Sequence, residues 1–332
     1  MYALLGMCLA LVIFLSVNAL VSLTAALAWR LAERPPRRSS ARTRAEILFA
    51  LRVMPPVLAL IAVGLFFVPA YVNYEPRATS EVVSAKLAAF AIVSAFGVVF
   101  AGWRSGRALL ATRALRRKWT MVAYEIHLPG IDVPTFRLAH SFPIIAVIGT
   151  MQPRLFIADK VLQSLNVDEL AAAIAHEYGH LRARDNLKRG LLSVCRDALI
   201  VPFGRSLDRS WAAAAEAAAD ESAAASSPDV ALNLASALVR IARMVPLGAR
   251  AEMPVAAFLV GGETRGIKVR VRRLLEIAST NRSEDVSGLE LNRTLPLISL
   301  ILALVFASAL ASNGRVLLTV HAFVERVVAF LS

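Results

Sequence analysis

Charge disappears from the chain in four long runs. Met1 to Trp29, Val53 to Tyr74, Leu87 to Trp103 and Thr294 to Gly314 contain no Asp, Glu, Lys or Arg. About 20 apolar residues are enough for a helix to cross the hydrocarbon core of a bilayer. The pattern therefore predicts four transmembrane helices, at about 2–29, 53–74, 87–103 and 294–314, the third being the shortest. The first run lacks a basic leading region and is far longer than the roughly 7–15 apolar residues of a signal peptide, so it is expected to be a retained anchor.

Between the third and fourth runs the texture becomes that of a folded domain, 104–293. The basic stretch after Trp103 is expected to carry the third helix on to about Trp119. From Met121 to Asp159, short β-branched and aromatic runs broken by Pro and Gly predict a small sheet. Helical spacing follows over about Val167 to Arg184, Leu187 to Ile200, Leu207 to Ala225, Pro228 to Met244 and Ile267 to Ala278. "ERPPRRSSARTRAE", between the first two spans, reads as a solvated loop, and Asn281 to Arg293 as an exit loop into the fourth span. The tail "VLLTVHAFVERVVAFL" reads as an amphipathic helix expected to lie at the membrane interface. The fold class is thus mainly α. A membrane domain, 1–103, with three helices precedes an α+β domain, 104–293; a fourth span, 294–314, and a short tail, 315–332, complete the chain.

Composition agrees with this picture, for 57% of the residues are hydrophobic and the mean hydropathy is +0.60. Charge orients it. Arg30, Arg34, Arg37, Arg38, Arg42, Arg44 and Arg52 cluster between the first two runs, and Arg104, Arg107, Arg113, Arg116, Arg117 and Lys118 follow the third. Because positive segments stay on the cytoplasmic side, both termini are expected outside and 104–293 inside. The net charge of +13 is accounted for by this flanking of spans next to the lipid bilayer, so no direct nucleic-acid binding is expected. Cys8 sits in the first span and Cys195 in the domain, which excludes a disulfide framework.

The chemistry is concentrated in "LAAAIAHEYGHLRARDN". "NVDE" before it can form a capping box, Asn166 with Glu169. On the helix that follows, His176 and His180 are four residues apart and share a face, with Glu177 beside them. Two imidazoles for one ion and a carboxylate that can take a proton from the attacking water make the H-E-x-x-H pattern of a zinc hydrolase. Five histidines in this chain would produce the pattern by accident roughly three times in a thousand, so it outweighs coincidence. A catalytic zinc needs a third protein ligand. Another His six residues beyond His180 is absent, since Asn186 stands there. "SWAAAAEAAADESAAA" offers Glu216 as that ligand, on a helix whose small side chains allow close approach, with Asp220 as acceptor for a ligand histidine N–H. Glu221 and Asp197 are competing ligands; Glu221 points about 100° away from the Glu216 and Asp220 pair on a helical wheel. His140, alone between apolar runs, reads as structural.

"LFIADKVLQSLNVDELAAAIAHEYGHLRARDN" followed by "EAAAD" resembles the membrane-anchored gluzincin peptidases, which include the beta-lactam sensor-transducers of the BlaR/MecR type, the HtpX proteases and the CaaX prenyl proteases. The resemblance implies a zincin-type metallopeptidase domain with Zn2+ as cofactor, on the roles given above, and adds Asp185 as a structural acid. It also implies an arginine near the oxyanion or substrate, for which Arg270 in "RVRRLLE" is the candidate. Three spans, a zinc domain and a fourth span is the order of the BlaR/MecR type, in a bacterial inner membrane. The implied activity is cleavage of a cytoplasmic or membrane-associated protein, with a transcriptional repressor as substrate. HtpX-like quality control, or a non-catalytic scaffold, are the alternatives. Only about 20 residues follow the fourth span, so no penicillin-binding sensor domain and no direct acylation by beta-lactams are expected.

Overall fold

The computed structural model describes residues 1–31, 40–77, 83–128, 130–140, 142–198, 204–245, 264–280, 302 and 304–331. Helix α1 spans Tyr2–Leu31, α2 Ala41–Ile61, α3 Val68–Tyr74 and α4 Ala85–Val122. A π-helical turn, Ala62–Phe67, joins α2 to α3, so that Ala41–Tyr74 is one rod of 34 residues. Among the described residues, three helices are long and apolar enough to cross a membrane, or four if one bent pair counts as a span. That pair is α11 (Leu304–Ala311) and the helix after it, α12 (Gly314–Leu331), which meet at 82°. The start of the fourth apolar run, the exit loop 281–293 and connector residues 32–39 lie outside the described residues.

The connector expected to be a loop is in part the first turns of α2. Ser40 caps the helix by accepting from Thr43 N at 3.2 Å. Ala41, Ala45, Leu48 and Arg52 are all buried, a 4-3-4 spacing that makes one helical face. Counting arginines hides this periodicity. Arg52 does not flank a span in water: its Nε lies 3.1 Å from Asp208 Oδ1 and the side chain is 3% exposed.

Helix α4 is the mechanical link between membrane and domain. Its 38 residues extend about 57 Å at 1.5 Å per residue, and its last turn carries Trp119 under the sheet, edge-on to Phe156 at 5.3 Å. Strands β1 (Tyr124–Ile126), β2 (Thr135–Leu138), β3 (Ile145–Ile148) and β4 (Arg154–Ala158) form a four-stranded sheet in the order β1-β2-β4-β3. β2 and β4 are parallel and the other pairs antiparallel. Six further helices follow: α5 (Asp159–Ser164), α6 (Val167–Ala183), α7 (Asp185–Asp197), α8 (Arg205–Ala224), α9 (Pro228–Met244) and α10 (Thr264–Thr280). One core packs the sheet against α6, α8, α9 and α10.

The membrane helices have two differently partnered ends. At one, Ala26, Trp29, Ala45 and Leu48 pack on Leu192 of α7 and on Leu207 and Trp211 of α8. At the other, Leu5, Leu9, Phe67, Tyr71, Leu87 and Ala91 pack with Val324 of α12. The tail helix expected at the interface thus has its apolar face covered by the bundle, on the end remote from the folded domain.

Candidate metal centre

The centre is built where α6 and α8 cross. α6 is anchored at its start by the capping box: Asn166 Oδ1 accepts from Glu169 N at 2.8 Å, and Glu169 Oε2 accepts from Asn166 N at 3.0 Å. The Glu169 carboxylate also takes Arg240 Nε of α9 at 2.9 Å. At its far end Arg184 adopts φ 54°, ψ 37°, a left-handed conformation that breaks the helix and restarts the chain as α7. Asp185, the first residue of α7, thereby turns back on α6.

Gly179 sets the separation of the two helices. A Cβ added there would stand 3.0 Å from Ala219 Cα and 3.2 Å from Ala219 Cβ, so the alanine-rich α8 approaches through small residues on both sides. Gly179→Val is expected to push α8 off α6, at about 1–3 kcal/mol from overpacking, and to weaken metal binding with it. Melting temperature and zinc affinity measured on one purified sample check both; an unchanged affinity would show that the crossing does not set the centre.

His176 and His180 face α8 with their rings nearly perpendicular and 4.8 Å apart. His180 Nδ1 lies 2.7 Å from Asp185 Oδ2, and His176 Nδ1 lies 2.9 Å from Asp220 Oδ1. An ionised carboxylate only accepts, so each Nδ1 carries a proton and each Nε2 is left facing the centre, where a cation can take the place of a second proton. Those two Nε2 atoms are 3.2 Å apart. Glu216 completes the group, with Oε2 3.7 Å from His176 Nε2 and Oε1 3.6 Å from His180 Nε2. Two ligands of one tetrahedral zinc, each at 2.0–2.2 Å, stand roughly 3.4 Å apart. Three converging donors at these separations fit such an ion, and His176, His180 and Glu216 could hold a metal.

The surrounding charges are arranged around that point. Arg270 of α10 donates through Nε to Asp220 at 2.9 Å and through Nη2 to the same carboxylate at 2.7 Å, while Nη1 lies 3.0 Å from Glu216. Its Nη2 is also 3.3 Å from His176 Nε2. Burial works to raise the pKa of Glu216, but the two imidazoles and Arg270 hold it well below the usual range. Burial likewise opposes ionised Asp220, which His176 and Arg270 nonetheless bring down. For His180, burial disfavours the charged ring, yet Asp185, Glu216 and Glu177 push it up to about 10. Glu177 is different. Burial raises its pKa against the pull of His180 and His176, and both its oxygens are buried without a hydrogen-bond partner among the described residues. The Val147 backbone also acts to lower its pKa.

The competing carboxylates are engaged elsewhere. Glu221 pairs with Arg273 and accepts from the Ala41 backbone N–H at 3.0 Å. Asp197 pairs with Arg104 and Arg196. His140 accepts from Phe142 N at 3.0 Å and stands near Trp119, apart from the centre. Asn186, six residues beyond His180, donates through Nδ2 to Val147 O at 2.9 Å and ties α7 to the edge strand, a contact that its sequence position does not reveal.

Residues 112–253 match the model of peptidase family M48. The matched segment runs from the last part of α4 past α9 and contains His176, Glu177, His180, Asp185, Glu216 and Asp220 but not Arg270. No curated protein matches the chain. The family match supports a metallopeptidase, and the apolar helices make it a membrane-associated one.

Proposed function

We propose that the protein is a zinc-dependent endopeptidase with His176, His180 and Glu216 as ligands and Glu177 as general base. The observation that carries this reading is the convergence of two imidazole Nε2 atoms and the Glu216 carboxylate within 3.7 Å beside a buried carboxylate without a hydrogen-bond partner. Zinc held there would supply Lewis acidity and a water with a pKa near 7. Glu177, whose proton affinity burial has raised, takes the proton of the attacking water and returns it to the leaving amine. Asp220 and Asp185 fix the tautomers of the two ligand histidines. Arg270 is a positioning residue that clamps Asp220 and Glu216; a role at the oxyanion rests on the resemblance alone.

The sheet edge supports a protein substrate. Ile144 O accepts from Ala158 N at 2.8 Å, so in the antiparallel β3–β4 pair the even-numbered residues face β4 and Val147 faces the open edge. An extended segment pairing with that edge would run past Glu177, in exchange for the Asn186 amide. The preferred substrate is a cytoplasmic or membrane-associated protein, cleaved in regulatory signalling with a transcriptional repressor as target. The basic second half of α4 supports a domain on the cytoplasmic face of a bacterial inner membrane, with both termini outside.

Comparing new protein N-termini in cells that make the wild type or Glu177→Gln tests the proposal. Loss of one or a few cuts in a DNA-binding regulator is expected. A broad set of vanished cuts in membrane proteins would replace regulation by HtpX-like quality control, and identical termini would overturn the peptidase reading.

A further inference from the structure

A second set of metal-ligating side chains converges at the opposite end of the bundle. Glu75 ends α3: its φ of −76° and ψ of 127° leave the helix while its N–H still donates to Tyr71 O at 3.0 Å. Its side chain is 5% exposed. Helix α12 lies across this end, held by a hydrogen bond from the Tyr74 hydroxyl to Gly314 O at 3.3 Å and by burial of Leu317 and Val324. His321 and Glu325, four residues apart on α12, therefore share the face turned to Glu75. His321 Nδ1 stands 4.0 Å from Glu75 Oε2, and one donor atom from each of the three residues lies within 4.8 Å of the others. The 4.0 Å separation of His321 and Glu75 exceeds hydrogen-bond length and stands outside the roughly 3.4 Å between two ligands of one tetrahedral ion.

We propose that Glu75, His321 and Glu325 form a second divalent-metal site, for an ion of the zinc class, that fastens α12 to the end of α3. One imidazole with two carboxylates is a donor set that suits zinc, whereas calcium and magnesium favour oxygen alone. The spacing repeats that of the first centre, with two ligands four apart on one helix and the third from a neighbour. Such a clip ties the tail to the ends of α1, α4 and the α2–α3 rod, whose other ends carry or contact the peptidase domain. It places a metal-responsive contact on the membrane face remote from that domain. Its existence does not depend on the peptidase reading.

The test is zinc content of the full-length protein in detergent after dialysis against a zinc buffer of fixed free concentration. His321→Ala is expected to hold one zinc fewer per chain than the wild type, and so is Glu325→Gln, which preserves shape if the first variant fails to fold. In a His176→Ala/His180→Ala background one zinc should remain, and adding His321→Ala should remove it. Added zinc should also slow amide exchange in residues 314–331 of the wild type and not of His321→Ala. Equal zinc in the wild type and the tail variants would overturn the site, as would exchange in the tail that ignores zinc.

Discussion

Glu177→Gln is expected to leave the bound metal in place and to lower peptide hydrolysis by about 10²–10⁴-fold, the usual worth of a positioned acid–base group. Glutamine keeps the shape of the side chain and removes the basic oxygen. The physical case rests on cost. Glu177 is 1% exposed and its two oxygens have no hydrogen-bond partner among the described residues, whereas buried carboxylates in a purely structural role are paired. Since burial already disfavours the ionised form, replacing it by a neutral amide should hold or raise the melting temperature. A structural role predicts the opposite. Unchanged hydrolysis would sink the general-base assignment, and loss of zinc together with activity would move Glu177 from the reaction to the architecture of the centre.

Much of that architecture was legible because it is local. The capping pair Asn166 and Glu169, the four-residue spacing of His176 and His180, and the matching spacing of Glu216 and Asp220 are all set by helix geometry, and the helices formed within two or three residues of their expected bounds. What depended on crossing distances was hidden. Gly179 opposite Ala219 decides how near α8 comes, yet in the sequence it is one glycine in a helix. Arg270 reaches Asp220 across 50 positions, and only the resemblance drew attention to it. The amphipathic start of α2 was masked by its arginines, because a face defined by Ala41, Ala45, Leu48 and Arg52 contains a charge whose partner, Asp208, lies 156 positions away. His321 and Glu325 are four apart in a tail read only as an amphipathic helix, and nothing local indicates that Glu75 meets them.

The choice of third ligand gives the other large effect. Glu216→Ala is expected to reduce metal affinity by more than the about 10–100-fold that follows loss of a group which only orients a ligand, and to abolish hydrolysis with it. Asp220→Asn, which leaves the three donors in place and weakens the acceptor for His176 Nδ1–H, should fall within that 10–100-fold range. Glu221→Ala should leave affinity unchanged, because its carboxylate is held by Arg273 and by the Ala41 N–H on a different side of α8. Its loss should instead loosen the contact of α2 with α8, by about 0–1 kcal/mol for a pair this exposed. The order Glu216, Asp220, Glu221 is diagnostic because Glu216 faces the Nε2 atoms of both histidines, Asp220 faces Nδ1 of His176 and Glu221 faces Arg273, although all three sit within two turns of one helix. If Glu221→Ala lost the metal and Glu216→Ala kept it, α8 would have to be rotated by about 140°, the net angle of five residues along a helix. Gly179 would then no longer face Ala219, and the close crossing that brings the two helices together would be lost.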